Sequence, residues 1–207
     1  MGLLGLLFKN PLAFVLIAIP FLYSVVLHEV AHGWVAYRMG DPTAKWLGRL
    51  TLNPIKHLDP IGTLMLFLVG FGWAKPVPVN FNNIADRRKG LIFVSSAGIL
   101  ANILLAFVAH LSFRVFSVSP FGVGAILLDY VGEINITLAA LNLIPIPPLD
   151  GSKILMGLAP EKTRYSLARL EPYGFFIIIG LLYLGMLNPL IEFIRGIIAT
   201  LIRILLT

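Results

Sequence analysis

His28, Glu29 and His32 stand together in the stretch VVLHEVAHGWVAYRMG, residues 25–40. Two histidines four positions apart share one helix face, where both rings reach a single tetrahedral metal ion. Glu29 falls beside them, closer to a metal-bound water than to the metal, and is placed to act as general base. Zinc in such a setting lowers the pKa of bound water to roughly 7. The plainer reading is two packed histidines and a chance glutamate. The surroundings weigh against it. The motif interrupts a long apolar run, and ionisable side chains at membrane depth are functional by default.

A catalytic zinc site usually has three protein ligands and one open position. The candidates for the third ligand are His57, Asp59, His110, Asp129, Glu133 and Asp150. Asp150 is the strongest. It follows NLIPIPPL, where Pro145, Pro147 and Pro148 forbid regular helix. Broken backbone is tolerated in a membrane where it is buried or lines a wet cavity. Depth agrees as well. His32 precedes Arg38 by six residues, about 9 Å of helix. Asp150 precedes Lys153 by three residues. His57 and Asp59 read better as turn and interface residues, and His110 as a packing or interfacial residue. Asp129 and Glu133 share a face that either lines a polar cavity or meets the outer interface.

The elements that must hold these residues are membrane helices. Of 207 residues 58% are hydrophobic and 13% charged, against about a quarter charged in a soluble domain. Mean hydropathy is +0.90. There is no cysteine, which excludes thiolate zinc sites and disulfides. The net charge is +6, but nothing in its pattern points to nucleic acid. The N-terminal MGLLGLLFKNPLAF does not read as a cleavable signal peptide. No repeat or linker divides the chain, so a single domain over 1–207 is expected.

Apolar runs predict spans over 11–39, 91–116 and 121–143, with a further hydrophobic segment over 174–187 after a charged loop at 159–172. Residues 190–206 carry Glu192, Arg195 and Arg203 as a polar stripe, which fits either an interfacial helix or one packed with its stripe inward. The run at 60–74 is short for a crossing and reads as re-entrant. Twelve of the sixteen basic residues fall in three regions, four each in 38–59, 75–90 and 153–172. The positive-inside rule places all three in the cytoplasm. The first two share a side only if 60–74 turns back. The fold class is therefore all-α: a polytopic helical bundle with a re-entrant segment and a short extended loop.

Four stretches carry a family resemblance: HEVAH at 28–32, SSAGILAN at 95–102, GWAKPVPVN at 72–80 and NLIPIPPLDG at 142–151. Together they resemble the site-2 protease family of intramembrane zinc metalloproteases, in its compact bacterial branch. The resemblance implies a peptidase that cuts within or near transmembrane segments of membrane-bound proteins, with zinc as cofactor. By motif, His28, His32 and Asp150 match the metal ligands, Glu29 the base, and Asn142 an asparagine that helps hold substrate. Where the family often has a second glycine after Asp-Gly, this chain has Ser152. No PDZ or CBS domain is visible, so a separate regulatory membrane protein is an expected partner. A bacterial plasma membrane is implied by the likeness alone.

Two expectations come from the residues themselves. Gly98 and Asn102 are four apart, so Asn102 can present its amide to the histidine helix, or simply pack. If AKPVPVN is extended, Pro76 and Pro78 share one edge, and the amides of Lys75, Val77 and Val79 face the other. That edge suits strand addition by an unwound substrate, against the alternative of a surface turn. Two rival functions use the same residues: a metal-ion carrier, and an inactive relative that binds membrane partners. The apolar outer halves of the spans disfavour the first, and the intact Glu29 the second.

Overall fold

The computed structural model describes residues 3–69, 72–116, 118–119 and 122–207. Its helices are α1 (Leu3–Lys9), α2 (Pro11–Arg38), α3 (Thr43–Trp46), α4 (Pro60–Val69), α5 (Arg87–Val115), α6 (Val123–Leu143), α7 (Asp150–Leu158), α8 (Glu161–Tyr183) and α9 (Asn188–Leu206). Among the described residues the sole β-pairing is an isolated antiparallel bridge, Leu58 to Ala74. Among the described residues four helices, α2, α5, α6 and α8, are long and apolar enough to cross a membrane.

Local chemistry sets the ends. Asn10 caps α2 by accepting the N–H of Ala13 at 3.0 Å, with Pro11 at the first helical position. The helix stops before Gly40, whose φ of +106° suits glycine. Asp86 caps α5, accepting from Arg88 and Lys89. α6 ends where Pro145 forbids its continuation.

α5 is the centre of the bundle, packed against α2, α6 and α7. Its buried face is built of small residues, including Gly90, Ser95, Ala97, Gly98, Ala106 and Ala109, which lets the neighbouring backbones come close. Ile99 and Ala106 join Ile136, Ala139 and Ala140 of α6 and Ile198 and Ile202 of α9 in the largest apolar cluster.

The segment at 60–74 does return. α4 has 10 residues, about 15 Å of helix and half a bilayer core. Beyond it the chain comes back beside its own start. Lys75 N–H donates to His57 O at 2.8 Å. Gly62 and Gly72 permit the close approach: a Cβ on Gly62 would lie 2.2 Å from Trp73 O, and one on Gly72 2.2 Å from Gly62 O. Residues 70–71 lie outside the described residues.

The charged stretch 159–172 is not a loop. Residues from Glu161 onward form the first half of α8, which continues through Pro172 into the apolar half. Arg164 pairs with Glu161 at 3.2 Å within it, and Glu, Lys, Arg and Leu are good helix formers. Asn188 and Pro189 open α9.

Candidate active site

α2 delivers the two histidines. Their rings meet edge to face, with centroids 4.5 Å apart. Nε2 of His28 and Nε2 of His32 are 2.9 Å apart. Asp150, the first residue of α7, brings Oδ2 to 3.1 Å from each of those nitrogens. All three residues are buried. The proline-broken stretch 144–149, which includes a cis Pro147–Pro148 bond, aims Asp150 at α2. Gly151 makes this possible, since a Cβ there would lie 2.3 Å from Leu143 O and 2.6 Å from Ile144 O.

The far side of each ring is held. His32 Nδ1 lies 2.7 Å from the carbonyl oxygen of Val94. A carbonyl only accepts, so Nδ1 carries the proton and Nε2 is bare. His28 Nδ1 lies 2.6 Å from Asn102 Oδ1, which sets the same tautomer. Two bare nitrogens and a carboxylate oxygen thus converge with no proton between them. Asp150 Oδ2 has no other hydrogen-bond partner although it is buried. Three acceptors around one point repel unless a cation sits among them, and imidazole and carboxylate are zinc donors. Outer-shell partners of this kind are the rule at metal-bound histidines. The residues present therefore fit a metal ion. Gly98 forms the wall behind it: a Cβ there would stand 2.5 Å from His32 Nε2 and 2.6 Å from His28 Nε2.

Glu29, the next residue of α2, is turned about 100° from His28 around the helix. Its Oε2 accepts the backbone N–H of Val77 at 2.8 Å. The extended segment 75–80 crosses Glu29 as a strap. Arg49 holds one end, donating to Lys75 O at 2.7 Å. Asp41 holds the other, accepting the N–H of Asn80 at 2.7 Å and the side-chain amide of Asn83 at 2.7 Å. Gly33 lies under the strap, where a Cβ would be 2.8 Å from Val77 Cγ1. The edge expected to stay open is therefore partly taken: the Val77 amide serves Glu29 and the Lys75 amide serves His57.

A cavity of about 470 Å³ opens beside His28 and Glu29. α2, α4, α6 and α8 wall it with apolar groups such as Phe21, Leu22, Leu66, Leu141 and Phe175. Asn142 lines it too, with its Nδ2 donating to Leu138 O at 3.0 Å.

The remaining candidates go elsewhere. Among the described residues, His28, His32 and Asp150 form the group whose ligand atoms all lie within 4.8 Å of one another. Asp59 caps α4, accepting the N–H of Gly62 at 2.8 Å. His57 lies at the cavity, its Nε2 2.8 Å from Thr51 O. His110 packs against Gly132, its Nδ1 2.8 Å from Ala106 O. Asp129 is exposed, and Glu133 pairs with Arg195 of α9.

The family model described as peptidase family M50 matches residues 121–184, which include Asn142 and Asp150. YwhC of Bacillus subtilis (strain 168) is 40% identical over 174 residues, covering 80% of this chain and 78% of that protein. The chain belongs to peptidase family M50, the site-2 protease family. Rip2 of Mycolicibacterium smegmatis is 33% identical over 181 residues, covering 84% of the peptidase and 69% of Rip2. YwhC and Rip2 both bear provisional zinc-metalloprotease names. The zinc metalloprotease MJ0392 of Methanocaldococcus jannaschii is 27% identical over 157 residues, covering 76% of the peptidase and 38% of that protein. No solved structure matches. The peptidase is a metallopeptidase and an integral membrane protein.

Two site residues escape the sequence reading. Asn135 and Ser24 are buried behind Asn102 and hydrogen-bonded to each other. An amide inside an apolar span, seven residues before Asn142 and so on the same helix face, was the signal available.

Proposed function

We propose that this peptidase is a zinc-dependent endopeptidase that cuts membrane-bound proteins within or near their transmembrane segments, acting as a single domain over 1–207 in a bacterial plasma membrane. The observation that carries the reading is the convergence of His28 Nε2, His32 Nε2 and Asp150 Oδ2 at 2.9–3.1 Å, with Glu29 at the mouth of an apolar cavity. His28, His32 and Asp150 hold the metal. Zinc, the metal in the names of the relatives, supplies Lewis-acid polarisation of the scissile carbonyl and a more acidic water.

The chain's own residues do the rest. Glu29 takes a proton from the attacking water at a carboxylate oxygen and passes it to the leaving amine as the C–N bond breaks. The Val77 N–H fixes the orientation of that carboxylate. Asn142, beside His28 in the cavity, supplies a polar group to the substrate backbone. The apolar walls exclude bulk water. The apolar lining suits a short apolar stretch of substrate. The basic regions 38–59 and 75–90 border the strap, which supports a site facing the cytoplasm.

The test has two parts. Wild-type protein is expected to hold one zinc per chain, with Asp150→Ala losing it and Glu29→Gln keeping it. New protein termini within single-span membrane proteins of the host, read by mass spectrometry, should appear with wild type and not with Glu29→Gln. Zinc retained in Asp150→Ala, or equal cleavage by Glu29→Gln, overturns the assignment.

A further inference from the structure

We infer that Asn135 is a positioning residue for His28: acting through Asn102, it fixes which nitrogen of the His28 ring carries the proton, and so keeps Nε2 bare for the metal. This rests on the proposed ligand role of His28. Asn135 belongs to α6, Asn102 to α5 and His28 to α2, so the relay runs through three helices.

The orientation of each amide follows from one backbone carbonyl. The side chain of Asn135 has one polar atom 2.8 Å from Val131 O. That oxygen only accepts, so the atom facing it is Nδ2. The same Nδ2 donates to Ser24 Oγ at 2.8 Å. Oδ1 of Asn135 must then face Asn102, at 2.8 Å, and Asn102 must present its own Nδ2 there. That turns Asn102 Oδ1 to His28 Nδ1 at 2.6 Å. An acceptor at that distance requires the proton on Nδ1. His28 Nε2 is left with a lone pair, directed at His32 Nε2 and Asp150 Oδ2.

The opposite arrangement shows what the relay prevents. If Asn135 flipped, its oxygen would face Val131 O, and Asn102 would have to flip to match. His28 would then meet an N–H at Nδ1 and carry its own proton on Nε2, inside the metal site. Asn102 and Asn135 are both 0% exposed, and Ser24 is buried, so no water competes to repair the pattern. His32 needs no such relay, because Val94 O sets its tautomer directly.

The test uses the full-length protein, stripped of zinc with a chelator and checked for folding, because bound zinc would itself enforce the tautomer. Side-chain nitrogen NMR reads the histidine tautomers at pH 8, with His28 assigned by loss of its signal in His28→Gln. Zinc affinity is read by chelator competition. Wild type is expected to show His28 protonated at Nδ1 alone. Asn135→Leu should mix the two tautomers of His28, leave His110 unchanged, and weaken zinc binding about 10- to 100-fold. Asn135→Asp should retain the wild-type tautomer and most of the affinity. Its protonated carboxyl can donate to Val131 O while accepting from Asn102. A helix-packing role alone predicts that Asn135→Leu weakens zinc binding while His28 keeps its wild-type tautomer, and that result overturns the proposal. So does a neutral His28 in wild type that carries its one proton on Nε2, a measurement that needs no variant to fold. Zinc affinity unchanged in His28→Gln would instead refute the ligand reading, with the tautomer data still deciding the relay.

Discussion

The backbone N–H of Val77 and the carboxylate of Glu29 are joined at 2.8 Å across 48 residues of sequence. The bond aims the proposed base from outside its own helix. Val77→Pro removes the donor between two existing prolines. The expected result is a fall in kcat of about tenfold with little change in KM, and a stability loss near ~1.5 kcal/mol for a hydrogen bond to a charged group. Val77→Ala keeps the N–H and should keep kcat. Equal kcat for Val77→Pro and Val77→Ala would show that Glu29 does not depend on the strap. Steady-state cleavage of whichever membrane protein yields new termini is the assay.

Gly98 is the second residue whose chemistry lies in what it lacks. A methyl there would sit 2.5 Å from His32 Nε2 and 2.6 Å from His28 Nε2, too close for either ring to stay. Gly98→Ala should therefore lower zinc occupancy well below one per chain and weaken zinc binding at least ~10-fold, the scale of a lost metal-site support. The fold should survive, since overpacking of this kind costs about 1–3 kcal/mol. Full zinc occupancy in Gly98→Ala, by metal analysis, would mean the rings do not occupy these positions when loaded.

The site was legible where local spacing carries the geometry. His28 and His32 needed only the helical repeat. Asp150 needed the prolines before it and a shared depth, and the return of 60–74 needed only the charges flanking it. What stayed hidden depends on partners far apart in the chain. Asn135 meets Ser24 across 111 residues, and no local pattern announces that. The alternation of AKPVPVN predicts an edge of open amides, but Glu29 arrives from another helix and takes the Val77 N–H. The charged half of α8 lacks an apolar stripe and so resembled a loop, although its residues favour helix and Arg164 pairs with Glu161 within it.

The strap carries a pH dependence at its far end. Asp41 is fully buried. Burial pushes its carboxyl up, but hydrogen bonds from Thr43, Asn83 and the Asn80 amide outweigh that and hold it below the ordinary aspartate value. A carboxyl depressed in the folded state stabilises fully above its unfolded pKa, about 3.9, and loses that contribution as pH falls through the lower folded value. Asp41→Asn should cost about 1–3 kcal/mol at pH 7 by leaving buried donors mispaired. Thermal unfolding followed from pH 7 to pH 3 should show the gap between wild type and variant closing below roughly pH 4. A gap that stays constant over that range would refute the role given to the ionised carboxylate.

Arg195 of α9 lies between two carboxylates, with Nη2 2.5 Å from Glu133 of α6 and Nη1 2.6 Å from Glu192. Glu133 is ten residues before the end of α6, about 15 Å of helix, where charge is costly unless paired. Removing different members therefore has unequal effects. Glu133→Leu leaves Arg195 its second partner. Arg195→Leu leaves two carboxylates facing each other in an apolar setting, which must then take up protons or separate. The expected order is a loss of about 1 kcal/mol for Arg195→Leu, since these side chains are substantially exposed, and less for Glu133→Leu. Adding Glu133→Leu to Arg195→Leu should recover part of the loss, since only Glu192 then remains charged. Unfolding in graded detergent mixtures measures all three. If the double variant is less stable than Arg195→Leu alone, the triad is not what docks α9 onto α6.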